Sequence, residues 1–460
     1  MKFREWFIAL LLGLPALALL ALGPHELAQV PTGRTVVRYW AGWTGVEGVA
    51  IQKIVQRFNQ SVGAEKNIWV EYCAVSNVDQ RMLISTAGGD PPDVALLYDY
   101  IVAQFAEQGA LLPLDDLARE FNIQQTDFKP IWWDIGVYQN RLFALPAPPY
   151  TPALFYNKRL FREAGLDPNR PPRTIAEFDD YAAKLTRRGP DGKLSQLGFT
   201  LSPAMLGWWH WPWPYFFNGR LWDGEHFTLD TVAGRAAFRW IVDNRRRMGA
   251  VGLSTSEATD KAINDSLLNF EGGAGTIEGP SNPFLCEKLA MVYQGPWLAN
   301  WAMKYAPTLE FGVARFPSVD EQHKFVFAST DVFVIPHGSP HPREAMAFLA
   351  WLMRRDVMEE LCQLHGKGSP FAQPGPRFYD THPNPYIRTF DALADSPETF
   401  GYPKMPMWTQ ARDETLHMLE TIIRGVRSPD DLVRATQQKV DVAVKEYRRM
   451  AELRRGRTAQ

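Results

Sequence analysis

Residues 151–186 read TPALFYNKRLFREAGLDPNRPPRTIAEFDDYAAKLT. The first part, TPALFYNKRLFREAG, predicts a short apolar strand that passes directly into a helix. Further on, Thr174 is followed three residues later by Glu177. That is a capping-box spacing, in which hydroxyl and carboxyl satisfy the free N–H groups at a helix start. An amphipathic helix is therefore expected from this point through the KLT end. Strand, helix, proline-rich turn and second helix in close succession are the signature of an α/β protein.

The alternation extends in both directions. Upstream, TVVRYW (35–40) reads as a strand broken by Gly42 and Gly45, and VEGVAIQKIVQRFNQSV (46–62) as a helix with Val49, Ile51, Ile54, Val55 and Phe58 at helical spacing. NIWVEYCAV (67–75) and PPDVALLYD (91–99) read as strands, and VDQRMLISTAGG (78–89) and YIVAQFAEQG (100–109) as helices. Downstream, LEFGVARFP (309–317) and STDVFVIPHG (329–338) read as strands. PREAMAFLAWLMRRDVMEELCQLHG (342–366), MWTQARDETLHMLETIIRGV (407–426) and a terminal segment from Ser428 with Pro429 in its first turn read as helices. This order calls for a parallel or mixed sheet covered on both faces. With 460 residues the chain exceeds what one core usually serves, so two α/β lobes are expected, sequential or interleaved.

A net charge of −2 without a long basic run argues against a nucleic-acid partner. The cysteines, Cys73, Cys286 and Cys362, show no Cys-x-x-Cys or Cys/His metal spacing and read mostly as buried small hydrophobes. Gly-x-Ser-x-Gly, His-Glu-x-x-His, Walker A and Gly-x-Gly-x-x-Gly motifs are absent from the sequence. Lys2 and Arg4 precede an apolar run from Trp6 to Gly23, the layout of a secretory signal over 1–28, or of an uncleaved membrane anchor. The compositional outlier is 16 tryptophans, four of them in GWWHWPWPY (207–215).

Four stretches, GGDPPDVALLYD with AEQGALLPLDDL (88–117), ALPAPPYTPALFYNKRLFREAGLDPNRPPRTIAEFDDYAAKLT (144–186), KLAMVYQGPWLANWAMKYAPTLEFGVARFP (288–317) and AMAFLAWLMRRDVMEELCQLHGKGSP (345–370), follow one another in a telling order. In content and order they resemble the extracellular solute-binding proteins of ABC importers, in the sugar-binding branch that includes the maltose-binding proteins. The resemblance implies a two-lobe periplasmic-binding-protein fold of type II, with the ligand in a cleft between lobes. It implies lobe 1 over 34–147 plus 306–340 and lobe 2 over 148–305 plus 341–460, with Pro146, Pro148 and Pro149 at the first crossing. It also implies a monomer exported to the periplasm, a carbohydrate ligand, ABC-transporter permease subunits as partners, and no cofactor or metal. One departure is a longer segment before the GPW turn, whose Gly-rich part (272–279) is read as a surface turn.

A sugar presents apolar C–H faces and a polar rim, so its cleft needs flat rings and hydrogen-bonding groups. The implied site residues are Trp40, Trp43, Tyr98, Asp99, Tyr150, Thr151, Trp208, Trp209, Trp211, Trp297 and Trp408. Of the 208–213 run, one or two rings are expected in the cleft and the others in the core. Asp99 reads either as a ligand contact or as a helix N-cap. Trp132, Trp133, Trp240, Trp301 and Trp351 are expected in the core, and His210 as a packed or hydrogen-bonding residue. Two rivals to solute capture are a secreted glycoside hydrolase with paired carboxylates and an anchored interaction protein with Trp patches.

Overall fold

The computed structural model describes residues 30–200, 209–247, 279–423 and 427–458. The expected signal segment 1–28, residues 272–278 of the Gly-rich loop, and Trp208 lie outside the described residues.

The first lobe follows the expected alternation. Strand β1 (Thr35–Ala41) leads to α1 (Gly45–Gln60), then β2 (Ile68–Ala74), α2 (Val78–Ala87), β3 (Val94–Tyr98) and, after a 3-10 turn over Asp99–Ile101, α3 (Val102–Glu107). Alternation along β1 divides its side chains between two layers. Tyr39 packs with Phe58 and Phe348 on one side, whereas Trp40 packs with the Leu97 and Val102 cluster on the other. Strand β4 (Leu145–Tyr150) closes one edge of a five-stranded mixed sheet, and the prolines 146, 148 and 149 lie within it. An edge strand tolerates prolines because half of its backbone needs no partner in the sheet.

Strand β5 (Ala153–Asn157) begins the second lobe and runs into α4 (Lys158–Glu163). The Asn157 side chain accepts from the Leu160 N–H at 2.9 Å and caps α4. Helix α5 (Ile175–Leu185) starts as its sequence predicts, with Thr174 Oγ1 accepting from Glu177 N–H at 3.1 Å. The return bond of the box shifts by one residue: the Glu177 carboxylate accepts from Arg173 N–H at 2.9 Å. Strands β6 (Met291–Gln294) and β7 (Phe311–Ala314) flank β5 in an antiparallel three-stranded sheet, with α6 (Trp297–Tyr305) between them in sequence.

The expected lobe boundaries need correction in the C-terminal half. Strand β7 lies inside the segment assigned to lobe 1, yet it pairs with β5 in the second sheet. The crossing back comes later, between Phe327, in the second core, and β8 (Ser329–Val334), which pairs antiparallel with β3 and β4. Helices α7 (Pro342–Leu352) and α8 (Arg355–His365), assigned to lobe 2, bury Phe348, Leu349 and Leu361 in the first core. They are two helices where one was expected, separated by extended backbone at Arg354. The third crossing runs through α9 (Ile387–Ala394): Ile387 packs in the first core and Phe390 in the second. Helices α10 (Trp408–Ile423) and α11 (Pro429–Thr458) complete the second lobe.

Trp132, Trp133, Trp240 and Trp351 are buried, and Trp301 is half-buried against the second core. Of the cysteines, Cys362 is buried as expected; Cys73 is half-buried, and Cys286 is exposed with its thiol donating to Pro280 O, so the expectation of mostly buried cysteines holds for one of the three.

Candidate functional site

The crossings meet where β4, α1 and the ends of α6 and α8 come together, and Trp43, Tyr150, Trp297 and Trp209 gather there. Trp43 lies in the turn between β1 and α1. Its indole N–H donates to Asp331 Oδ2 at 2.8 Å, and its carbonyl accepts from Tyr72 OH at 2.8 Å. Asp331 stands on β8, directly opposite Tyr98 of β3. Tyr150 ends β4, and its ring meets that of Trp297 edge-on at 5.1 Å. Trp297 opens α6 and stacks at 6.2 Å and 23° on Trp209, a member of the tryptophan run. Gly295 is required in the GPW turn: a Cβ there would lie 2.3 Å from the Trp297 ring.

The charged members of the cluster were not legible as such. Lys367 follows Gly366, the left-handed residue (φ +65°) that ends α8. A side chain at 366 would collide with Asn300, whose Nδ2 donates to His365 O at 3.1 Å. That tight turn aims Lys367 inward, so its side chain is only 5% exposed, with Nζ 2.8 Å from Glu47 Oε1. Burial opposes the ammonium, but Glu47 and Asp331 outweigh it and hold its pKa above the usual lysine value. Burial likewise opposes the Glu47 carboxylate; Lys367 outweighs it, so Glu47 titrates lower than an ordinary glutamate. Glu47 also sits in the first turn of α1, where the helix dipole favours an anion. Asp331 is shifted upward, chiefly by burial and against the pull of Lys367. His365 packs edge-on against Trp43 at 4.6 Å, and burial pulls its pKa down to about 3, so the ring is neutral.

A second junction lies nearby. Tyr98 is 53% exposed and stacks on Tyr100 at 5.5 Å, while Arg412 of α10 lies 4.8 Å over the Tyr100 ring and Tyr402 leans on its edge. First-lobe rings thus meet second-lobe groups here too.

Several expected site residues lie elsewhere. Trp211 and Trp408 are fully buried, pack on each other at 5.3 Å and share contacts with Tyr402. They form second-lobe core, because burial of two complete indoles beneath Tyr402 outweighs their display to solvent. Trp40 belongs to the opposite layer of the first sheet from Trp43. Thr151 is buried, and its hydroxyl donates to Phe390 O at 3.1 Å, tying the first crossing to α9. Asp99 is buried; burial pushes its carboxyl well above the ordinary carboxylate range, and it accepts from Ser329 Oγ at 3.1 Å. It braces β8 at its crossing end. His210 is buried with Nε2 2.9 Å from Arg412 O. Among the described residues no cluster of His, Cys, Asp and Glu is arranged to hold a metal, and no helix is long and apolar enough to cross a membrane.

Flat rings drawn from two lobes and one crossing strand, with an acid, an ammonium and an indole N–H at their edges, define a two-lobe binding protein. Residues 42–359 match the model of the bacterial extracellular solute-binding proteins. The chain belongs to that family. A putative binding protein of Brucella abortus is 24% identical over 97% of this chain and 100% of its own. The sn-glycerol-3-phosphate-binding periplasmic protein UgpB of Escherichia coli K12 is 30% identical over 34% of this chain and 36% of its own. Among solved structures, a mannotriose-bound protein, CpMnBP1, aligns over 88% of this chain and 99% of its own with a TM-score of 0.74 and 24% identity. The sugar-binding protein MalE of Xanthomonas citri aligns over 91% and 99% with a TM-score of 0.71 and 20% identity. These structural matches establish the shared two-lobe fold.

Proposed function

We propose that this protein is the extracytoplasmic substrate-binding component of an ABC importer, exported by its N-terminal segment. It captures a sugar, a di- or oligosaccharide, by lobe closure and delivers it to a membrane permease. The observation that carries the reading is the ring set Trp43, Tyr150, Trp297 and Trp209, contributed by both lobes and the strand between them. Trp297, half-buried, supplies stacking surface, the buried Trp209 backs it from the second-lobe core, and Tyr98 adds an exposed ring at the second junction. Asp331, Glu47 and Lys367 supply the polar rim. A ligand touching rings of both lobes is bound better by the closed arrangement than by an open one, which is the condition for ligand-driven closure. Binding without bond cleavage requires no nucleophile and no metal. Neighbours of the same fold solved with mannotriose, mannobiose and maltose bound support the sugar assignment.

A thermal-shift screen over mono- to tetrasaccharides, with chromatography of the incubated sugars, tests this. Stabilisation by at least one sugar, recovered intact, is the expected outcome. Cleaved products would instead favour a glycoside hydrolase, and a flat response to every sugar would remove the carbohydrate reading.

A further inference from the structure

The Lys367 ammonium stands 5.8 Å from the Trp43 ring centroid, 5.9 Å from that of Tyr150 and 5.8 Å from that of Trp297. The three rings come from the first lobe, the crossing strand and the second lobe. A cation within about 6 Å of a ring centroid is attracted by the ring quadrupole. An ammonium also carries three N–H donors. Glu47 Oε1, at 2.8 Å, takes one of them. Rings are poor substitutes for oxygen acceptors, and a buried donor lacking one is costly. A ligand oxygen entering between the rings relieves that cost.

Charge narrows the ligand further. Glu47 contacts the ammonium, and Asp331, pinned by the Trp43 N–H at 2.8 Å, adds its charge to the same cluster. An anion approaching Lys367 meets two carboxylates. A cation finds the triangle of rings already filled by a tethered ammonium. An uncharged ligand with oxygen acceptors for Nζ and a hydroxyl donor for Asp331 meets neither obstacle.

From this geometry we infer that Lys367 sets the ligand class: it donates to a hydroxyl or ring oxygen of an uncharged glycoside, and its pairing with Glu47 and Asp331 turns away phosphorylated, carboxylated and cationic solutes. The inference deepens the sugar-binding reading and rests on it.

The test compares the full chain with its Lys367→Met, Lys367→Arg and Glu47→Gln variants by thermal shift and tryptophan fluorescence. The probes are mannobiose, maltose, glucose 6-phosphate, sn-glycerol 3-phosphate, glucosamine and tetramethylammonium chloride. The parent chain is expected to respond to an uncharged sugar and not to the phosphate esters or glucosamine. K367M is expected to weaken that sugar by roughly tenfold or more, the scale of one or two lost hydrogen bonds, with K367R retaining part of the affinity. In a further Lys367→Ala variant, which empties the ring triangle, tetramethylammonium enters it and quenches fluorescence there but not in the parent. E47Q, which leaves Lys367 less neutralised, is expected to gain a response to the phosphate esters. Sugar affinity unchanged in K367M, or a parent chain that prefers a phosphate ester to its uncharged counterpart, overturns the inference. If no sugar binds the parent chain, the carbohydrate reading fails separately. The tetramethylammonium arm then still decides the ring triangle, and its failure in a folded K367A refutes it.

Discussion

Replacing Trp297 by alanine removes the ring that links Tyr150 to Trp209 across the lobes. Trp297 is half-buried, so the protein covers part of the indole and leaves part for a ligand. A tryptophan buries up to about 250 Å² in all; assigning about 100 Å² to a ligand face gives roughly 2.5 kcal/mol at ~25 cal/mol per Å². Ring stacking adds about 1 kcal/mol beyond area. The sum, ~3.5 kcal/mol, corresponds to a loss of between two and three orders of magnitude in affinity. Isothermal titration with the sugar found by screening measures it, and Trp297→Phe, with a smaller ring, is expected to fall between. The same titration on Trp408→Phe is a control, since Trp408 is wholly in the core. An affinity within a factor of two of the parent for a folded Trp297→Ala variant would refute the reasoning.

Three further outcomes follow from the packing and the charges. His365 is held neutral, with its pKa pulled to about 3 by burial. Unfolding therefore takes up a proton below the unfolded value near 6.5, and stability present above that pH is lost as pH falls toward about 3, at most ~1.4 kcal/mol per pH unit. Urea titrations between pH 7 and 4 should show this slope, and His365→Gln should flatten it. Lys129 is buried and pairs with Asp391 of α9 and with Asp395 just past its end, both at 2.9 Å. Lys129→Met leaves Asp391 uncompensated at the hinge and should cost on the order of 3 kcal/mol in chemical denaturation, while Asp395→Asn, at an exposed carboxylate, should cost less than about 1 kcal/mol. Trp43→Phe removes the N–H that fixes Asp331 and should weaken the sugar by roughly tenfold with a smaller loss in Tm.

The strand–helix order was legible because local signals agree with the tertiary structure, as at Thr174 and Glu177, where spacing and hydrogen bond coincide. The lobe boundaries after residue 305 were not, because they depend on which strand β7 joins, and nothing local distinguishes β5 from β8 as its neighbour. Trp43, Tyr150 and Trp297 stand at the ends of strands and helices where family resemblance points, and the fold brings them together. Trp211 and Trp408 carry the same residue type in the same kind of segment, yet they face the core. Side-chain direction within a proline-punctuated run such as 208–214 follows no period that a reader can use. Lys367 was missed because a lysine between two glycines looks like a solvated loop residue. Its burial is set by the left-handed turn at Gly366 against Asn300, a contact 66 residues apart in sequence.

A crystal structure with the sugar identified by screening tests the central claim most directly. The expected structure holds an intact sugar between the lobes, with one ring face on Trp297 and an oxygen within hydrogen-bonding distance of Lys367 Nζ. Sugar seated away from Trp43, Tyr150 and Trp297, or a cleaved glycosidic bond in their midst, would contradict it.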